Sequence, residues 1–325
     1  MSLRIEFVAA GALALGLLCG PTVSALRQDV MLQYRWTKGE AIRYRIAQVS
    51  ATTISGLPGM SEMTIDQSTT QVLRTIAEDI GPNGTTMLRQ VVESIKMDMS
   101  SPMFTTSFDS AKPDAGADPM NAMLKTVLTP MVGATFTMTM APTGEVQKVE
   151  GLSALAAKVF TSVAQDPAAA GVLDGLKANL SDEAMQAMLT QTFAQFPPRP
   201  LKLGDTWNSQ VAAANPMLGT LVTSVSSTLK AVEGPGSSRI ARIATSLTIK
   251  QDATKPVPTN PMGMTMQIGE ATGDGEQFFA TGSGRFQRST TTVTLPMTMS
   301  GSGPDGTPMS LKTSVKTTTT VEIVQ

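Results

Sequence analysis

The sequence predicts an α+β protein that is mainly antiparallel β, with two similar curved-sheet or open-barrel units and a helical segment between them. Three observations predict it: long stretches of period-two alternation, Gly/Pro turn signals between those stretches, and a central region with helical spacing. In the first class, Phe136, Met138 and Met140 share one face of a strand, with Thr135, Thr137 and Thr139 on the other. Val293, Leu295, Met297 and Met299 repeat the pattern, as do Met264, Met266 and Ile268. The longest run is C-terminal, with Met309, Leu311, Val315, Val321 and Ile323 on one side and Lys312, Lys316 and Glu322 on the other. Such strands keep one face dry and one wet, as half-buried antiparallel sheets do. Thr and Met supply the pattern because Thr is β-branched and Met fills irregular apolar space.

Turns follow from Gly81-Pro82-Asn83-Gly84, Pro142-Thr143-Gly144, Gly234-Pro235-Gly236 and the stretch from Gly301 to Gly306. Helices are expected at Asn121–Leu128 and through Leu152, Leu155, Ala156 and Val159, whose spacing makes one apolar stripe. Ser181 is placed to cap a further helix carrying Met185, Met188, Leu189 and Phe193, which Pro197-Pro198 stops. The resulting organisation is an export signal at 1–25, a first β unit at 26–149, a helical segment at 150–196 and a second β unit at 197–325.

The two β units read as diverged copies. Trp36-Thr37-Lys38-Gly39-Glu40 and Leu203-Gly204-Asp205-Thr206-Trp207 each precede a strand. Further on, Gln71–Pro82 resembles Ser227–Pro235, with Leu73 aligned on Leu229 and the second copy shorter before its Gly-Pro turn.

The first 25 residues have the three parts of a secretory signal: Arg4 near the amino terminus, an apolar stretch from Phe7 to Leu18, and Val23-Ser24-Ala25 as a small-x-small cleavage site. That apolar stretch, about 12 residues, is too short to span the bilayer core. Cleavage after Ala25 and a periplasmic or secreted location are expected, with no transmembrane anchor left. Cys19, the single cysteine, follows Leu18 rather than a small residue, which disfavours lipid attachment.

Composition narrows the chemistry. There is no histidine, so imidazole bases and the commonest zinc ligand are missing. The 25 basic and 26 acidic residues leave a net charge of −1, which gives no electrostatic pull on nucleic acid. Ser227-Thr228-Leu229-Lys230 fits a Ser-x-x-Lys spacing, but it lies in an expected strand, where residues three apart face opposite ways. Neither Asp274 and Glu276 nor Asp114 and Asp118 match the ligand spacing of a calcium loop. No cofactor and no metal site are expected.

On Lys38-Gly39-Glu40, on Ile42-Arg43-Tyr44-Arg45 and on Pro200-Leu201-Lys202-Leu203-Gly204-Asp205-Thr206-Trp207, the chain resembles a family of exported bacterial proteins of unknown function. The resemblance implies a β-rich fold over most of the mature chain and brings no activity with it. By element order alone the chain is also similar to periplasmic lipoprotein carriers, in which a curved antiparallel sheet wraps helices around an apolar cavity.

Two groups of residues are candidates. Phe136, Met138, Met140, Met264, Met266, Val293, Leu295, Met297 and Met299 either line a cavity for an apolar ligand or fill an ordinary core; alternation alone does not separate these. Gly39, Glu40, Gly204 and Asp205 read as structural turns in which Gly supplies positive φ and the acid bonds the turn, with Trp207 a packing anchor. The expected function is an extracytoplasmic, non-enzymatic binding or carrier protein for an apolar or lipid-like small molecule. The alternatives are an envelope structural or protein-interaction module, whose partner is an envelope protein, and a histidine-independent enzyme.

Overall fold

The structure, a computed structural model, describes residues 29–56, 62–112, 119–163, 186, 189–190, 193–215, 218–255, 265–302 and 308–325. The expected signal at 1–25, Met264, Asp114, Asp118, Ser181, Met185 and Met188 lie outside the described residues. The first half of the chain forms β1 (Ala41–Ser55), β2 (Met63–Ile80), β3 (Thr86–Ser100), β4 (Thr105–Asp109), helix α1 (Pro119–Leu128), β5 (Thr135–Met140), β6 (Val146–Glu150) and helix α2 (Leu152–Val163). The second half forms β7 (Thr206–Asn215), β8 (Gly219–Glu233), β9 (Ile240–Gln251), β10 (Thr265–Ile268), β11 (Ala271–Ala280), β12 (Arg285–Ser302) and β13 (Pro308–Val324).

All of these strands belong to one open sheet of 13 strands, in the order β6-β5-β3-β2-β1-β13-β12-β11-β9-β8-β7, with β4 beside β3 and β10 beside β12. The fold is therefore mainly antiparallel β with helices, as the alternation predicts. The two strand sets merge where β1 pairs β13, Arg43 opposite Val324 through to Ser55 opposite Lys312.

The internal repeat is visible in the hydrogen bonding. Gly39 donates its amide to Ala77 O at 2.8 Å, and Ala77 donates back to Glu40 O at 2.9 Å. Gly204 donates to Leu229 O at 2.8 Å, and Leu229 donates back to Asp205 O at 3.0 Å. Immediately after these partners both copies carry a bulge, between Ala77 and Asp79 and between Leu229 and Ala231. The hairpin β5–β6 matches β11–β12 likewise: Gly144 donates to Ala141 O and Gly284 to Ala280 O, both glycines with positive φ. This corrects the sequence alignment, because Leu229 corresponds to Ala77 and not to Leu73. Leucine identity misleads there: the shared property is complete burial, 0% exposure at both Ala77 and Leu229.

The core sits at the end of the sheet that carries these glycine turns. Tyr44, Leu88, Met138, Met140, Ile243 and Phe279 come from strands of both halves, and Val30, Leu32, Tyr34 and Phe196 fill between them from the segments that precede β1 and β7. Those segments pair with each other at Val30 and Leu201. Helix α2 adds Leu152, Leu155, Ala156 and Val159, all buried, which is the stripe read from the sequence. Helix α1 lies on β4 and α2, closing a smaller cluster of Val92, Ile95, Phe108 and Leu128.

Two strand glycines mark a tight approach. A Cβ on Gly273 would meet Thr292 O at 2.6 Å, and one on Gly275 would meet Thr291 Oγ1 at 2.7 Å and Thr290 O at 2.8 Å. Glycine inside a strand lets a neighbouring backbone come this close. Gly275→Val is expected to destabilise the fold by at least about 2 kcal/mol through overpacking. Gly39→Ala and Gly204→Ala meet no atoms within 4 Å, but φ is +82° and +88°, so each is expected to cost about 1 kcal/mol through backbone strain alone. Urea denaturation of the three variants checks both statements, and the repeat requires the two alanine variants to behave alike.

Candidate binding face

The pleat gives each strand one face toward the core and one away from it. Following the pairing register from the core outward defines successive rows on the core-bearing face. The first row beyond Phe279 and Tyr44 runs Leu229, Ile243, Gln277, Ser289, Val321, Ile46. The second is polar and uncharged: Ser227, Thr245, Gly275, Thr291, Thr319 and Gln48 lie in register, continuing to Thr69 on β2. Beyond this belt the face carries Leu, Ile, Val and Met on β9 and β12, with Thr223, Thr313 and Thr317 interspersed on β8 and β13. Val225 and Leu247 pair across β8 and β9, Leu295 pairs with Val315, and Met299 pairs with both Leu311 and Met266.

These outer rows differ from the core in how they are covered. Phe136, Met138 and Met140 are 6%, 1% and 1% exposed and pack into the core cluster. Met266, Val293, Leu295, Met297 and Met299 are half-buried, as are Leu247, Ile249, Leu311 and Val315. The sequence grouped the two sets together because the same Met-Thr alternation produces both. What separates them is distance from the glycine turns and the position of the helices, which lie over β4 and β5 of the first half. The main contacts of α1 and α2 are with β4, β5 and each other, and not with β8, β9 or β11–β13.

The charges of the sheet are sorted with equal consistency. Arg43, Arg45, Asp66, Lys250, Asp274, Lys312, Lys316 and Glu322 all occupy the opposite face by register. No lysine, arginine, aspartate or glutamate of the described strands falls on the core-bearing rows. Surface ion pairs such as Arg45–Glu322 at 3.1 Å and Arg43–Glu93 at 2.8 Å therefore lie away from the apolar rows.

The glycine turns frame the closed end. Glu40 accepts from Thr37 N at 2.9 Å and from Arg285 Nε at 3.0 Å, with a second bond from the same guanidinium. Arg285 is 7% exposed, donates to Ser283 O and Gly284 O at 3.2 Å, and lies 4.6 Å from the centre of the Trp36 ring. It thereby ties the start of β12 to the start of β1. Asp205 repeats the role with local partners, accepting from Lys202 N at 3.1 Å and Arg199 at 2.8 Å. Trp207 donates Nε1 to Gln195 O at 2.7 Å and packs on the core. Sequence reading missed Arg285, since a lone arginine after a Gly-Ser-Gly stretch carries no pattern. Its partner Glu40 was singled out only for the turn.

The titratable groups here are structural. Burial raises the Tyr34 and Tyr44 hydroxyls above the usual tyrosine range, so both stay neutral. The Arg199 hydrogen bond, helped by the Lys202 amide, holds Asp205 below the usual carboxylate range, and Lys38 does the same for Asp79. Among the described residues no group of three or more His, Cys, Asp or Glu side chains is placed to hold a metal ion. On β8 Ser227 is paired and buried, whereas Lys230 is the unpaired bulge residue and is exposed, so they form no nucleophile–base pair.

A second feature is the seam between β6 and β7, which end the strand order among the described residues. A cleft of about 580 Å³ lies there, lined in part by Glu145, Val146, Gln186, Phe196, Gln210 and Val211. Gln186 Nε2 donates to Val146 O at 3.3 Å and Gln147 O at 3.2 Å, capping part of the β6 edge.

Glu40→Gln is expected to destabilise the fold by about 3 kcal/mol, because it leaves the Arg285 guanidinium buried without its counter-charge. Asp205, with a lowered folded-state pKa, contributes stability that is present above the ordinary carboxylate range and is lost as pH falls through its lowered value. Asp205→Asn should therefore flatten the acid limb of a stability-versus-pH curve while leaving its shape near neutrality unchanged.

No curated protein matches the chain in sequence. Solved structures similar to it include lipovitellin, studied for its lipid–protein interactions, at 8% identity and a TM-score of 0.45; the match covers 90% of this chain and 26% of that one. The chain thus spans about a quarter of lipovitellin's length. An exported protein with a YmcC-like fold from Bacteroides fragilis is 9% identical with a TM-score of 0.22, covering 87% of this chain and 97% of that one. An outer membrane channel from Pseudomonas putida F1 gives 9% identity and a TM-score of 0.22, covering 90% and 98%. TM-scores below 0.5 establish no shared fold, so fold and function rest on the chain's own residues. No described helix is long and apolar enough to cross a membrane. The profile of DUF6263 matches residues 83–278, well over half of the sequence and inclusive of the Gly204-Asp205 element, and the chain belongs to this family of unknown function.

Proposed function

We propose that the chain is an extracytoplasmic, non-enzymatic binding or carrier protein for an apolar small molecule, held on the core-bearing face of β8, β9 and β11–β13. The observation that carries this reading is the row of half-buried Leu, Val and Met side chains beyond the polar belt, away from the main contacts of the described helices α1 and α2. Covering a side chain of this kind is worth about 1.5–3 kcal/mol when burial is complete, so several partly covered together offer substantial binding energy to an apolar ligand. Met297, Met299 and Met266 add adaptability, since an unbranched thioether reshapes around different ligands. Export follows from the signal-like first 25 residues, and the missing histidine argues for binding over catalysis.

A second reading, a protein-interaction module, is favoured by the seam. The edges of β6 and β7, which end the strand order among the described residues, offer main-chain groups to an extended partner segment. In that case a photo-crosslinker at Gln210 would capture one partner peptide reproducibly in the envelope, whereas one at Thr294 would not.

Native mass spectrometry of the protein after incubation with a lipid extract tests the first reading. A bound adduct is expected, reduced at least tenfold in the double variant Leu295→Gln, Met297→Gln and unchanged in Thr294→Gln, whose side chain is on the opposite face. Protein that remains free of adduct across extracts would remove the reading.

A further inference from the structure

We infer that the ligand of this face is an electrically neutral amphiphile: a long hydrocarbon chain with an uncharged head bearing hydroxyl or amide groups. The inference rests on the binding reading above and adds the chemistry of the ligand. Its basis is the combination of two features of one face, the absence of charge and the ordered polar belt.

The belt runs in register through Ser227, Thr245, Gly275, Thr291, Thr319, Gln48 and Thr69, and the Thr245 and Thr291 hydroxyls flank the space over Gly275, which has no side chain. It is buried at Ser227 and Thr245, half-buried at Thr291 and Thr319, exposed at Gln48 and buried again at Thr69, so the face opens to solvent at β1. Hydroxyls and a carboxamide both donate and accept, and they suit a head that does the same. They provide no counter-charge. A carboxylate, phosphate or ammonium drawn onto this face would give up hydration with no ion partner among the described strand residues. The formal charges nearest the belt on β13 and β9, Lys316, Glu322 and Arg242, are on the other side of the sheet. Beyond the belt, the apolar rows from Val293 to Met299 extend for about 20 Å of strand, enough for a long chain lying along β12. The arrangement thus matches a neutral head at the belt and a chain running toward the end of the sheet away from the glycine turns.

The test uses the purified full chain and four probes with one C16 chain: hexadecanol, hexadecanamide, palmitate and hexadecylamine at neutral pH. Displacement of a fluorescent apolar dye reads their relative affinities. The two neutral probes are expected to bind at least tenfold more tightly than either charged one. Thr319→Lys, which places a cation in the belt, is expected to shift preference toward palmitate by at least tenfold; Thr291→Lys provides the same readout on β12 should the first variant fold poorly. Charged and neutral probes binding within twofold of each other would overturn the inference and leave the binding reading standing. Displacement by none of the four would overturn both.

Discussion

The architecture depends on a single constraint, that a pleated strand has two faces and that the paired positions of the described strands carry their charge on one of them. Every other feature follows from that division. Because the charged face is solvated, thirteen strands can join edge to edge in one sheet without a second layer behind them. Because the opposite face is free of charge, it can collapse on itself at one end, where Tyr44, Phe279, Ile243 and Met138 meet the segments around Tyr34 and Phe196. The same face then continues past the point where there is core to bury against, and that continuation is what makes it a candidate for binding.

The repeat explains how the sheet is joined and why it stays open. Each half begins with a Gly-acid turn whose amide and carbonyl bracket a buried residue of the next strand, Ala77 in one half and Leu229 in the other. The second half ends in a long strand, β13, that lies between β12 and β1. Its counterpart would follow β6, and there the chain instead enters α2. The edges of β6 and β7 consequently face a cleft, part of which Gln186 caps. Arg285 shows the consequence electrostatically: in the joined half Glu40 is reached by an arginine from β12, whereas Asp205 near the seam relies on Arg199 six residues away in sequence.

Much of this was legible in the sequence because period-two alternation and Gly turns are local signals. Alternation at Val293–Met299 and in the C-terminal run identified β12 and β13, and the Leu152–Val159 stripe identified α2. What alternation does not encode is strand order: that the two strand sets join through β1 and β13 into one open sheet is visible only in the structure. Nor does it encode cover: Met138 and Met299 look alike in sequence, and only their distance from the turns makes one core and the other half-open. Arg285 was invisible for a related reason, since its partner Glu40 is 245 residues away. The repeat was recognised through its Gly-acid turns but aligned on the wrong leucine, because burial and not side-chain identity is what the two copies share.

The central claim, that an apolar ligand lies on one face of the second-half strands, reduces to a comparison of neighbouring residues on β12. Leu295 faces the core-bearing side and Thr294 the charged side. A tryptophan placed at each position in turn, in protein incubated with a brominated C16 alcohol, reports contact through quenching of its fluorescence. The account predicts strong quenching at position 295 and little at position 294. Equal quenching at the two positions, or none at 295, would contradict it.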